Sequence, residues 1–196
     1  MIADLGIYML TIAAVSFTPG LCMALAFTLG MTVGYRKALW MMAGELTGLA
    51  VVFTATFWAL SWLREQSPIW FSALSALGGA YLMVLAVALF RQPAAAMERI
   101  ESLSVRRAQL AALGFVTVFT NPKGWAFLMA LLPGFLDERR PLLGQYASML
   151  VIMLLSEFAS MSLYASGGSW LAGAHRLAAV VLAGVSVWVL AGAVGG

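Results

Sequence analysis

Charged residues fall along this chain in short clusters, and six long stretches between them carry few charges or none: residues 5–35, 38–63, 66–90, 108–136, 141–175 and 177–196. Each can supply the ~20 predominantly apolar residues that one helical bilayer crossing takes. The pattern predicts an all-α integral membrane protein with six transmembrane helices, the sixth short.

Two of the stretches are interrupted. Thr18-Pro19-Gly20 breaks the first and Asn121-Pro122-Lys123-Gly124 breaks the fourth. Backbone in hydrocarbon must satisfy its own hydrogen bonds, so a broken span is tolerated only where protein or a polar cavity covers the gap. Thr18 before Pro19, and Asn121 before Pro122, read as an N-cap followed by the first helical position. Two half-helices are thus expected to begin within the membrane. Their unpaired N–H groups, about four per start, and the positive ends of their dipoles suit a carboxylate. Gly20 and Gly124 remove side chains that would hold a ligand off the backbone. One such break reads equally well as a simple proline kink, but matched breaks in two halves point to a transporter's substrate site.

The polar connection 93–109, with Pro93 and several charges, divides the chain into 1–92 and 110–196, three helices each. An odd number of crossings per unit means that a duplicated unit inserts upside down, so the expected plan is two three-helix inverted repeats. Matched landmarks support it: a Pro-centred break in the first helix of each half, and one glutamate, Glu45 or Glu157, in the second. The Pro19-to-Glu45 spacing is shorter than that from Pro122 to Glu157.

Composition agrees with the pattern. The chain is 63% hydrophobic and 10% charged, with mean hydropathy +0.95, far from the range of soluble domains. Residues 1–17 hold no Lys or Arg and run into the first break, so the first helix is expected to be retained rather than cleaved as a leader. Net charge +3 and pI near 9.4 have a local explanation. The connections after helices one, three and five hold seven Lys and Arg, against three after helices two and four. This asymmetry, rather than nucleic-acid binding, accounts for the basic balance; it places connection 93–109 in the cytoplasm and both termini on the far side of a bacterial inner membrane.

Cys22 is the only cysteine and His175 the only histidine. No internal disulfide or Cys-x-x-Cys pair can form, and no metal site or cofactor is expected. Without His-Glu-x-x-His or a nucleophile with an evident base, the chain is not expected to be an enzyme.

Three ionisable residues lie within apolar stretches: Glu45, Glu157 and Lys123. A charge at the centre of a spanning helix costs about 2.5–3.5 kcal/mol on insertion scales, so such residues face the bundle interior and mark substrate or ion paths. Glu45 and Glu157 are candidate proton carriers, the alternative being structural carboxyls bonded to a neighbouring helix. Lys123 puts a cation at the positive end of a half-helix and calls for a negative partner: Glu45, Glu157 or a substrate carboxylate. Snorkelling to an interface is its alternative. Gly30-x-x-x-Gly34, Gly44-x-x-x-Gly48 and Gly78-Gly79 are signals for close helix packing, and the seven Trp suit interfacial belts.

The string Phe17-Thr18-Pro19-Gly20, the glycines 30, 34, 44 and 48, then Gly78-Gly79-Ala80-Tyr81-Leu82, Asn121-Pro122-Lys123 and Leu132-Pro133-Gly134-Phe135 resemble the LysE/RhtB amino-acid exporter family over essentially the whole chain. The resemblance implies proton-driven efflux of amino acids or close derivatives. It also implies roles for Thr18 to Gly20, Asn121 to Lys123 and an acidic residue of the fifth helix, here Glu157. Three positions depart from the family pattern: Leu21 follows Pro-Gly, Gly134 stands where Gln is common, and Glu157 replaces the usual Asp. These departures bear on the substrate, not on the transporter class.

The reading that results is a secondary transporter whose partners are an amino-acid-like substrate, protons and the lipid bilayer, working alone or as a homodimer. Substrate-binding candidates are Thr18, Pro19, Gly20, Glu45, Asn121, Pro122, Lys123 and Glu157, with Glu45 and Glu157 also coupling protons. A passive channel built from the same broken helices is the alternative.

Overall fold

A computed structural model describes residues 2–18, 20–91, 106–137, 139–167 and 175–195. Among them regular structure is entirely helical: α1 (Ile2–Ser16), α2 (Leu21–Val33), α3 (Tyr35–Gln66), α4 (Pro68–Arg91), α5 (Arg107–Phe119), α6 (Pro122–Leu131) with a 3-10 turn (Leu132–Phe135), α7 (Leu142–Ala165) and α8 (His175–Gly195). Most of connection 93–109, and Pro19, lie outside the described residues.

Helices α3 and α7 are each long and apolar enough to cross a membrane, and the pairs α1–α2 and α5–α6 pass the same test when each is taken as one bent span. The bends are 57° and 52°. The described apolar parts of α4 and α8, Ile69–Tyr81 and Val180–Ala191, are shorter than a full crossing.

Chain breaks follow local chemistry. Helix α1 ends in a tightened turn: Thr18 N–H donates to Val15 O (3.0 Å), and Thr18 Oγ1 donates to Ala14 O (2.8 Å). Thr18 therefore closes the helix before the break. The expected N-cap role passes to Gly20, which is extended (φ −140°, ψ −174°) and offers no side-chain bond. Between α2 and α3 the chain turns on Gly34 alone, at φ +88°, a conformation that a Cβ would strain. Pro68 opens α4 and Pro122 opens α6, where the missing N–H is no loss. The fifth apolar stretch is shorter as a helix than as a sequence: α7 stops at Ala165, and His175, expected at its end, instead starts α8.

With lipid as apolar as leucine, helices in a membrane associate through close packing at small residues. Gly44 is pressed onto Ala111 of α5, Gly114 onto Met41 and Glu45 of α3, and Gly48 onto Phe115 and Val118. Gly78 meets Ala130 of α6, Gly79 meets Leu190 of α8, and Ser186 Oγ donates to Gly79 O (2.6 Å). The Gly30–Gly34 pair splits: Gly30 abuts Ala165 of α7, while Gly34 serves the turn.

Large apolar side chains such as Leu77, Val84, Leu143, Val151 and Leu155 point outward, as a lipid-facing surface requires. Trp58 and Trp62 on the C-terminal part of α3 and Trp70 on the first turn of α4 are exposed, and Trp40 lies toward the opposite end of α3 beneath the Arg107 guanidinium (5.6 Å). Trp125 packs across the α5–α6 break and Trp188 against Phe135. The buried interior forms two clusters. One gathers Tyr8, Ile12, Phe53, Phe57, Leu131, Leu132 and Met149. The other gathers Met23, Ala26, Met41, Met42, Met161 and Tyr164.

Candidate functional site

Both breaks are covered by protein on one side. The last carbonyls of α1 lack helical partners, and α7 supplies them: Ser160 Oγ donates to Ser16 O, and Tyr164 OH donates to Phe17 O (3.2 Å). At the second break the Trp125 indole N–H reaches back to Phe119 O (2.8 Å), with its ring edge-on to Phe119. Asn121 O accepts from Gly124 N–H (3.1 Å), closing the first turn of α6.

On their other side the breaks face one cavity of about 290 Å³. Ser16 and Thr18 border it from the end of α1, Gly20 and Cys22 from the start of α2, Glu45 from α3, Asn121 and Gly124 from the second break, and Glu157 from α7. Ile12, Val15, Leu49, Val52, Phe127, Leu128 and Met153 make up most of the wall. Two helix starts and two carboxyl groups that are distant in sequence thus converge on a largely apolar chamber.

Glu45 is 1% exposed, and its Oε2 has no hydrogen-bond partner among the described residues. The Cys22 thiol faces it. Glu157 is half-buried with the Ser16 hydroxyl beside it, and the two carboxyls are near enough to feel each other's charge. An unpaired polar atom removed from water costs about 1–3 kcal/mol, more if charged, and that cost is relieved by a proton or by a cationic ligand.

The glycines at the breaks have room around them. A Cβ added at Gly124 would meet no atom within 4 Å, and one at Gly20 would only touch Thr18 O at 4.0 Å. The space beside them belongs to the cavity, in contrast to the closely packed glycines of α3 and α5.

Of the residues singled out in the sequence, Thr18, Gly20, Glu45, Asn121 and Glu157 border this cavity. Pro122 begins α6 but lies exposed outside the lining. Pro19 and the side chain of Lys123 lie outside the described residues. Sequence reasoning missed Ser16 and Cys22. Their signal was their position, two residues before Thr18 and two after Gly20. Among the described residues no three His, Cys, Asp or Glu side chains gather as metal ligands.

Comparison with known proteins extends over the same elements. The family profile described as LysE type translocator matches residues 13–195, from the last turn of α1 to the end of α8. The chain is 30% identical over 190 residues to the homoserine/homoserine lactone efflux protein of Salmonella typhimurium, covering 95% of this chain and 92% of that protein. The protein of the same name from Salmonella typhi aligns equally well, with 30% identity over 190 residues. An uncharacterized membrane protein of Vibrio cholerae is 30% identical over 133 residues, or 68% of this chain and 65% of its own. No solved structure matches. Both breaks, the cavity lining other than Ile12 and the glycine-packed helices fall inside the matched region, and the chain belongs to the LysE type translocator family.

Proposed function

We propose that this protein exports small amino acids or their close derivatives across the bacterial inner membrane, in exchange for protons. The observation that carries the reading is the buried Glu45 carboxyl, with an unpartnered oxygen, sharing one cavity with Glu157 and the starts of α2 and α6. In this scheme the substrate ammonium sits between Glu45 and Glu157. Its carboxylate lies against the first turn of α2, where N–H groups lack helical acceptors, and beside the start of α6, with Lys123 adding positive charge. The apolar wall and the volume of about 290 Å³ suit one molecule with a short neutral side chain rather than a second charged group. The name of the Salmonella relatives, homoserine/homoserine lactone efflux protein, describes such molecules.

Coupling requires that a ligand bind the two access states unequally. A proton arriving from outside on Glu157 removes the partner of the ammonium and favours release there; loss of that proton inside restores the site. At a membrane potential of 100 mV each imported charge supplies about 2.3 kcal/mol, close to fiftyfold in concentration ratio.

The architecture in this proposal is six spans in two inverted units, with connection 93–109 cytoplasmic and both termini periplasmic. Several contacts fit a pseudo-twofold axis: α3 packs on α5 as α7 packs on α1, α3 meets α7, and α4 meets α8. The bends of 57° and 52° are alike as well. A passive channel needs a continuous wet path, whereas the side chains of Tyr8, Ile12 and Met149 on one side and of Met23, Met161 and Tyr164 on the other are packed and buried.

The test is uptake of radiolabelled homoserine and threonine into inverted vesicles, with and without an imposed proton gradient. Glu157→Gln is expected to lower gradient-driven uptake at least tenfold, and Lys123→Ala to weaken it at subsaturating substrate. Wild-type rates in both variants would refute the assigned roles.

A further inference from the structure

A second cavity, of about 330 Å³, lies on the same seam between α1 and α7 as the central one. Helix α1 turns Leu5 and Tyr8 toward it and Ile12, Val15 and Ser16 toward the central cavity. Helix α7 divides likewise, with Ser148 and Met149 bordering the second cavity, Met153 and Glu157 the first. The two chambers are stacked end to end, separated by about one helical turn.

Tyr8 fills that turn. Its side chain is 0% exposed, its hydroxyl donates to Met149 O (3.2 Å), and its ring meets Phe135 edge-on at 5.3 Å. Phe135 ends the 3-10 turn that continues α6, the half-helix that starts beside the central cavity at Asn121. A rigid shift of α6 would therefore pull on the ring that holds Tyr8 in place. Around the second cavity the frame is polar and fixed: Gln145 Nε2 donates to Asp137 O (2.9 Å) and Arg140 O (3.1 Å), and its Oε1 accepts from Asp137 N–H (2.8 Å). Arg140 is paired with Asp137 at 2.8 Å. A polar frame, the buried Tyr8 beside Met149 and a chamber with two carboxyls thus follow one another along α1 and α7.

We infer that the second cavity is the outer vestibule of the export path and that Tyr8 is the removable plug between it and the substrate chamber. This rests on the transport reading above. In the closed state the Tyr8 ring and its bond to Met149 block the way between them. Release toward the vestibule requires that bond to break and the Phe135 contact to slide. The leaving molecule is a zwitterionic amino acid or a neutral derivative, briefly hydrated beside Gln145 and Ser148.

The test is reaction of engineered thiols with a small, charged, membrane-impermeant methanethiosulfonate reagent, in a Cys22→Ser background without substrate or gradient. Ser148→Cys reports on the vestibule and Met153→Cys on the chamber beyond Tyr8. Ser148→Cys should react quickly whatever stands at residue 8. Met153→Cys should react slowly beside Tyr8, about three- to tenfold faster with Tyr8→Phe, which removes one hydrogen bond, and faster still with Tyr8→Ala. Should Tyr8→Ala fail to fold, Tyr8→Phe against wild type decides. Equal Met153→Cys rates beside Tyr8 and its replacements overturn the plug, and an unreactive Ser148→Cys overturns the vestibule. Because labelling needs no transport, a plug that behaves as expected in a protein that moves no amino acid would sink the transport reading alone.

Discussion

In the proposed mechanism Glu45 is the residue on which most depends. Its backbone amide lies against Gly114 of α5, where the helices pack closely, yet one of its side-chain oxygens has no partner among the described residues. A buried ionisable group of this kind is poor material for stability, and replacing such groups with uncharged ones of like shape is often neutral or favourable. Glu45→Gln is therefore expected to leave thermal unfolding in detergent unchanged or raised, while substrate uptake falls at least tenfold. A fall in stability with uptake preserved would make the carboxyl structural. The sequence exposed Glu45 and Glu157 because charge inside an apolar stretch is conspicuous. It did not expose Ser16 or Cys22, since small residues on a helix acquire meaning only from what faces them.

At the scale of elements, the glycines divide into two kinds that sequence does not distinguish. A Cβ at Gly44 would lie 1.8 Å from Ala111 O, so the α3–α5 contact must open to accept it. Gly44→Ala is expected to cost about 1–3 kcal/mol, measured as lost thermal stability in detergent. Gly144→Ala, where nothing lies within 4 Å, should cost nothing by packing and serves as the control. The broken spans were legible as proline-centred interruptions, and the structure has both as bends of more than 50°. The cap at the second break, Asn121 before Pro122, was legible too, but that at the first was not. Thr18 turns back onto α1 because its hydroxyl finds Ala14 O one turn earlier, and Gly20 is left to begin α2. Trp125 also holds the second break together through Phe119 O. That bond depends on a 52° bend bringing an indole within reach of a carbonyl six residues earlier.

Over the whole molecule, the proposed orientation rests on the basic residues. Arg36 and Lys37 stand at one end of α3 and Arg139 and Arg140 ahead of α7, and in the proposed orientation, which rests on the greater basic count, the first pair is cytoplasmic. In a Cys22→Ser background, Arg139→Cys is expected to react with an impermeant thiol reagent in intact spheroplasts, and Lys37→Cys only in inverted vesicles. The opposite pattern would reverse the proposed orientation and the direction of the export path.

The sequence by itself determined that this chain belongs in a membrane, that two of its spans are interrupted and that its family is that of the LysE translocators. Hydrophobic length, helix-breaking residues and an ordered set of motifs are all local, or are read by position along the chain. Tertiary structure alone decided that Thr18, Gly20, Glu45, Asn121 and Glu157 share one cavity, and that Tyr8 separates it from a second. Those relations depend on how closely helices approach and how far they bend. In a bundle packed by small residues, that is settled by contacts between side chains distant in sequence.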